Sequence, residues 1–188
     1  NYTYFRTNVF KKLSFWNVRT FVILMMIIDG KKEAEILRQE IKKEIVSLKS
    51  KNNKVPGLTV ILIGDYAPSQ IYVKNKEKSA KEVGINSNVV RYSKEVTEEE
   101  VLKKIEDLNN DTDVSGILVQ LPLPPQINKE KIINAVSPKK DVDGFHPINV
   151  GNLSSGHNAL VPCTPLGCLY LIKKVEKNLS GKHAVIIG

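Results

Sequence analysis

The 188-residue chain is poor in the residues that mark several protein classes. Its two cysteines, Cys163 and Cys168, do not have the CxxC spacing of redox or zinc sites, and we expect them to be packing residues. A single tryptophan and five phenylalanines provide no evident aromatic platform for nucleic-acid bases. The longest apolar run, Phe21 to Ile28, is too short to span a bilayer, which needs ~20 residues. We therefore expect no metal, no nucleic acid and no membrane among the partners of this chain.

The net charge of +8 is unevenly distributed. Residues 1–28 contain four basic residues and no acidic one, so the remainder carries +4. We expect residues 1–26 to be a leader or a non-native extension, with Met25 or Met26 as an alternative start. We expect a cytoplasmic location, with a mitochondrion or another organelle as the alternative if this segment is a transit peptide. The basic balance leaves a nucleic-acid-binding domain as a further alternative.

Apolar periodicity predicts an α/β fold in which helices cover a mostly parallel sheet. The run Leu58 to Ile63 is continuously apolar, which is typical of a strand buried on both faces. Thr97 and Glu100 have the spacing of a capping box at a helix start. The predicted helices are Lys31–Lys51, Ser69–Val83, one from Thr97, 128–136 and Thr164–Val175; the predicted strands are Leu58–Ile63, Asn88–Tyr92, Gly116–Leu121 and His183–Gly188.

Three segments in this pattern carry polar groups that could act on a ligand. Tyr72 and Lys76 are four residues apart and share one face of a helix, although such a pair is often only a surface pair. Gln120 lies in an apolar strand, where its amide needs hydrogen-bond partners in the backbone or in a ligand. Asp143 precedes a glycine turn, where it would cap the turn, bind a metal, or accept hydrogen bonds from a heterocycle.

These segments resemble one family, the bifunctional methylenetetrahydrofolate dehydrogenase/methenyltetrahydrofolate cyclohydrolases. The similarity extends over residues 27–188, with the motifs in the family's order and spacing. The matching motifs are residues 60–78, the Gln-Leu-Pro-Leu-Pro stretch within 116–124, the Lys-Asp-Val-Asp-Gly-Phe-His segment within 140–149, and Pro162-Cys163-Thr164-Pro165 with Gly167.

The resemblance implies roles for individual residues. Lys76 would be the catalytic lysine, Gln120 would position it and the reacting carbon, and Asp143 would complete the catalytic group by binding the pterin. Tyr72 would pack its ring against the folate, with Leu121 and Pro122 as further substrate contacts. The implied reactions are NADP-dependent oxidation of 5,10-methylenetetrahydrofolate and hydrolysis of the resulting methenyl cation to 10-formyltetrahydrofolate. A homodimer is also implied.

The resemblance further implies a domain division. Residues 27–150 would form the folate-binding catalytic domain, and residues 151–188 would be the linker, helix and first strand of an incomplete Rossmann domain for NADP. The family's phosphate-binding turn would follow Gly188, so Thr164 is the one cofactor contact expected here. We expect an incomplete gene model or a fragment that retains the cyclohydrolase residues. The alternative is an inactive folate-binding or dimerising fragment.

Overall fold

A computed structural model of the protein describes residues 27–187, so the predicted leader at 1–26 lies outside the described residues. The elements, in chain order, are α1 (Gly30–Asn52), β1 (Gly57–Ile63), α2 (Ala67–Val83), β2 (Asn86–Tyr92), α3 (Glu98–Asn110), β3 (Gly116–Val119), α4 (Lys129–Ala135), α5 (Pro147–Ser154) and α6 (Cys163–Val175). The α/β fold predicted from the sequence is confirmed.

The three strands form a parallel sheet in the order β2-β1-β3. Val60 of the central strand pairs with Val89 on one side and with Leu118 on the other. A central strand in such a sheet is covered on both faces, which explains why its sequence is apolar without alternation. Val60 and Ile61 are both fully buried, and burying one such side chain contributes about 1.5–3 kcal/mol.

The two faces of the sheet are packed differently. On one face, Ile61 and Ile117 join a large apolar cluster with Ile105 of α3 and Ile132 of α4. On the other face, Val60, Leu62 and Leu118 pack with Val73 of α2 in a smaller cluster. The second face therefore keeps room beside α2 for a cleft, and the candidate site lies there.

Local signals set the ends of two helices, α3 on the first face of the sheet and α2 on the second. Helix α3 begins at the predicted capping box, in which the Thr97 side chain accepts from the Glu100 N–H and Glu100 reaches back to the Thr97 N–H. Helix α2 ends at Gly84, whose φ of 91° lies in the left-handed region that glycine adopts without strain.

Two parts of the chain differ from the expectation. The predicted final strand is wrong for its described residues 183–187, which have no regular structure; Ile186 and Ile187 are 95% and 94% exposed. A strand is held by hydrogen bonds to a neighbour, and this segment pairs with no described strand.

Helix α5 was not predicted, because Gly151 lies at its centre and glycine disfavours helix. Its apolar side chains are mostly exposed in the structure. The proposed boundary after residue 150 falls within α5.

The surface helices also bury less than their periodicity suggests. Of the apolar face predicted for α1, Ile45 is buried, whereas Leu37 and Leu48 remain 38% and 43% exposed. Helix α6 has no buried residue, and both cysteines on it are exposed and free, so the expectation that they are packing residues is wrong. Among the described residues, no helix combines the length and the apolar character that crossing a membrane would take.

Candidate functional site

The centre of the site is a contact between two residues that are 44 positions apart in the chain. Lys76 Nζ of α2 donates a hydrogen bond of 3.1 Å to Gln120 Oε1, just after β3. An ammonium group can only donate, so the amide oxygen must face the lysine. The Gln120 Nε2 group donates to the Leu121 carbonyl at 2.8 Å, and the Gln120 backbone N–H donates to the Ile61 carbonyl at 2.9 Å. The glutamine is thus held at its backbone and at both ends of its amide.

Helix α2 presents Lys76 toward the sheet because of its spacing from buried neighbours. Val73 and Ala80, which are three residues before and four residues after Lys76, are both buried. Residues at these spacings share a helix face. The neighbouring lysines lie on the opposite face of the helix: Lys74 is exposed, and the Lys78 side chain is 76% exposed. Lys76 is therefore the lysine of this segment that lies at the edge of the sheet.

A buried serine, which the sequence interpretation missed, supports the same segment. Ser69 is 4% exposed, and its hydroxyl donates to the Leu121 carbonyl at 3.3 Å. This carbonyl also accepts the Gln120 amide. Ser69 therefore ties the first turn of α2 to the chain that follows β3. A small hydroxyl side chain just after the first proline of a helix was the available signal.

Asp143 lies on a tight turn near the lysine. The Gly144 N–H donates to the Asp141 carbonyl at 3.2 Å, and Gly144 has a φ of 66°. A Cβ at Gly144 would lie 2.5 Å from the Leu160 carbonyl oxygen, so glycine is required for both conformation and space. Burial raises the pKa of the Asp143 carboxyl; the Lys76 ammonium offsets part of this rise, and the Asp141 carboxylate adds to it.

Lys76 and Asp143 line one cavity of about 720 Å³. Its apolar lining includes Leu58, Leu118 and Val142, which belong to the less covered face of the sheet or lie beside it. A site of this kind, apolar with a few converging polar groups, suits a small organic ligand. Its position on the sheet face, beside α2, follows from the smaller apolar cluster that the described residues form on that face.

The other predicted site residues are distributed around this centre. Tyr72 lies one turn before Lys76 but is 60% exposed, and Pro122 is also exposed. Leu121 is half-buried and lines a smaller cavity, which Asp143 and Phe145 also line. Phe145, exposed by 44%, lines both cavities and was not singled out in the sequence, although it directly follows the Asp-Gly turn.

The described residues do not by themselves fit an NADP site. Thr164, the one predicted cofactor contact, lies exposed in the first turn of α6 and lines the larger cavity. Gly64, the glycine between β1 and α2, has no second glycine beside it to form a phosphate-binding turn. Within residues 27–187, no group of three or more His, Cys, Asp or Glu side chains could hold a metal ion.

Comparison with known proteins identifies the site's context. The family described as "Tetrahydrofolate dehydrogenase/cyclohydrolase, catalytic domain" matches residues 28–143. The "Bifunctional protein FolD" of Pelagibacter ubique is 64% identical over 164 residues, which are 87% of this chain and 58% of that relative.

Solved structures agree with this match. The bifunctional FolD methylenetetrahydrofolate dehydrogenase/cyclohydrolase of Campylobacter jejuni superimposes with a TM-score of 0.84 at 48% identity, over 87% of this chain and 58% of the other. The Trypanosoma brucei dehydrogenase-cyclohydrolase, solved with NADP cofactor and inhibitor, has a TM-score of 0.79 at 33% identity, over 84% and 54% of the two chains. The present chain thus spans somewhat more than half the length of these relatives.

Proposed function

The chain belongs to the tetrahydrofolate dehydrogenase/cyclohydrolase family, and on this premise we propose that it binds a reduced folate and hydrolyses 5,10-methenyltetrahydrofolate to 10-formyltetrahydrofolate. The observation that carries the proposal is the 3.1 Å hydrogen bond from Lys76 to Gln120 beside a cavity that Asp143 also lines. These groups supply a proton carrier, a fixed amide and an anionic anchor.

In the proposed reaction, Lys76 carries a proton between water and the substrate. The methenyl carbon lies between two nitrogens that share a positive charge, so it is open to attack by water. Neutral Lys76 accepts a proton from the attacking water and returns it to the ring nitrogen that leaves the carbon. The second proton of the water is released as the formyl C=O forms, so one proton is produced per turnover. Such proton transfer by a positioned side chain contributes typically 10²–10⁴-fold to the rate.

Gln120 and Asp143 would hold the two reactants in place. Gln120 fixes the lysine amine with its Oε1 atom, and its own amide is tied to the Leu121 carbonyl. The Asp143 carboxylate would accept hydrogen bonds from the amino group and the ring N–H of the pterin, a two-point contact that also sets the ring orientation. The apolar side chains of Leu58 and Leu118 offer a surface for the ring.

We also propose the remaining substrate contacts and the context of the site. The ring of Tyr72 would pack on the folate from the exposed side, with Leu121 and Pro122 beside it. Residues 27–150 would form the catalytic domain, and residues 151–188 would lead into an NADP-binding domain, which would supply the dehydrogenase activity in a longer protein. A homodimer and a cytoplasmic location are part of this proposal, with an organelle as the alternative if residues 1–26 are a transit peptide.

The hydrolysis of 5,10-methenyltetrahydrofolate can be followed directly by the decay of its absorbance. The chain should accelerate this decay above the rate in the same buffer without protein. Binding of tetrahydrofolate without acceleration would instead favour an inactive folate-binding fragment. Tight, steeply salt-dependent binding of DNA or RNA that survives Asp143→Ala would favour the nucleic-acid-binding alternative.

A further inference from the structure

A buried carboxylate lies two residues before Asp143. Asp141 is 6% exposed, and it forms an isolated parallel bridge with Ile117 of β3. Its Oδ2 atom accepts two hydrogen bonds, from the His146 backbone N–H at 2.8 Å and from Asn149 Nδ2 at 2.9 Å. Burying a carboxylate is costly unless its oxygens accept hydrogen bonds, so two donors on one oxygen indicate a specific role.

The second donor is itself fixed. Asn149 is 5% exposed and belongs to α5. Its Nδ2 group also donates to the Pro138 carbonyl at 2.9 Å, on the chain just before Asp141. The Asn149 amide therefore connects α5 to Pro138 and to Asp141. Asn149 lines neither of the two cavities that Asp143 lines.

These contacts close a loop on the residue that would bind the ligand. The Asp141 carboxylate spans from residue 141 to the N–H of residue 146, and the intervening residues include Asp143 and Phe145. One end of this loop is held on β3 by the Ile117 bridge, and the other end continues into α5. The position of the Asp143 carboxylate is therefore set from both sides.

We propose that Asp141 and Asn149 form a latch, meaning this pair of hydrogen-bonded side chains, that positions Asp143 for the pterin. Both are positioning residues, since neither lines the larger cavity that holds Lys76 and Asp143, and the smaller cavity that Asp141 lines is only about 20 Å³. The proposal rests on the proposed folate-binding function and assigns that function two residues outside the substrate contacts.

The latch also acts on Asp143 through its charge. The charged groups facing Asp143 are Lys76 from α2 and Asp141 from the same turn, and the Asp141 carboxylate adds to the rise that burial causes in the Asp143 pKa. Replacing Asp141 with asparagine keeps an oxygen that can accept both hydrogen bonds but removes the charge. Replacing it with alanine removes both.

The test measures tetrahydrofolate binding to the chain by calorimetry between about pH 4 and pH 8. Asp141→Ala should weaken binding at neutral pH by about tenfold, the usual effect of displacing a charged hydrogen-bond partner. Asp141→Asn should bind within about twofold of the unchanged chain at neutral pH. Asp141→Asn should begin to lose affinity at a lower pH than the unchanged chain does, because removing the Asp141 charge lowers the Asp143 pKa. Asn149→Ala should weaken binding less than Asp141→Ala does, because the Asp141–His146 bond remains.

Thr97→Ala is the matched control, because it removes the capping hydrogen bonds of α3 and should lower thermal stability without changing affinity. If Asp141→Ala and Asn149→Ala bind tetrahydrofolate as tightly as Thr97→Ala does, the latch is overturned, but the proposed folate binding is not. If Asp141→Ala does not fold, two other results would together overturn the latch. Asp141→Asn would lose affinity at the same acid pH as the unchanged chain, and Asn149→Ala would bind with full affinity. No binding by the unchanged chain would overturn the proposed function and the latch with it.

Discussion

Replacing Lys76 with arginine separates the charge of this side chain from its ability to release a proton. A guanidinium keeps the positive charge and can still donate to Gln120 Oε1, but it is effectively never deprotonated in proteins. Lys76→Met keeps an unbranched chain and removes both charge and donor. If the lysine carries a proton in the hydrolysis, both variants should be inactive. If it only supplies charge, arginine should restore most of the rate.

The expected magnitude follows from the role of the amine. Loss of general acid–base catalysis costs about 10²–10⁴-fold, so the lower bound adds about 2.7 kcal/mol to the barrier. Lys78→Met is the matched control on the same helix, since Lys78 is 76% exposed and makes a long contact of 3.8 Å with Glu82. The control makes the same chemical change, so its effect on helix propensity is the same. It should retain the activity of the unchanged chain within about twofold.

The assay is the decay of 5,10-methenyltetrahydrofolate absorbance at saturating and at low substrate, which separates kcat from KM. Both Lys76 variants should lose kcat, and tetrahydrofolate binding measured separately should change little. A Lys76→Arg variant that keeps most of the original kcat would refute proton transfer by Lys76. Equal rates for Lys76→Met and Lys78→Met would remove the catalytic role of the lysine altogether.

Three further predictions concern the turn and the frame of the site. Burial raises the pKa of Asp143, and in the proposed complex its charged form would accept from the pterin, so folate affinity should fall as the pH drops through that raised pKa; calorimetry on Asp143→Asn should show weaker but pH-independent binding. Gly144→Ala should lower the free energy of unfolding by about 1–3 kcal/mol in urea titrations, because its Cβ would meet the Leu160 carbonyl at a positive φ. Thr97→Ala should cost about 1 kcal/mol in the same titration, through loss of the capping box with Glu100, and an unchanged midpoint would contradict the capping account.

Much of the fold could be predicted because each element carries its own local signal. The run 58–63 is buried on both faces, so it shows no alternation, and the structure places it at the centre of the sheet. Gly84 and Thr97 mark helix ends through backbone conformation and capping, which depend only on neighbouring residues. Lys76 could be distinguished from Lys74 and Lys78 for the same reason, since helical spacing from Val73 fixes which lysine faces the sheet.

The unpredicted parts depend on partners far away in the chain. The Lys76–Gln120 contact was implied only by the family resemblance, because no local signal in the sequence reveals a contact that forms when α2 packs beside β3. The segment 183–187 has the composition of a strand, yet a strand is also held by hydrogen bonds to a neighbouring strand, and this segment pairs with no described strand. Two aspartates occur in the Lys-Asp-Val-Asp-Gly segment, and the structure distinguishes them: Asp141 accepts from His146 and Asn149, whereas Asp143 lines the larger cavity with Lys76.

The choice of a glutamine as the partner of Lys76 has a chemical consequence for a cationic substrate. A carboxylate at position 120 would also accept from the amine, but it would hold the amine in its charged form and oppose release of the proton. The neutral Gln120 oxygen fixes the direction of the amine at 3.1 Å without adding a full negative charge, and its own direction is fixed by the Leu121 carbonyl. The negative charge of the site is instead carried by Asp143, on a separate turn, where it can hold the pterin. In the proposed hydrolysis, positioning and charge would thus be divided between two side chains, Gln120 and Asp143.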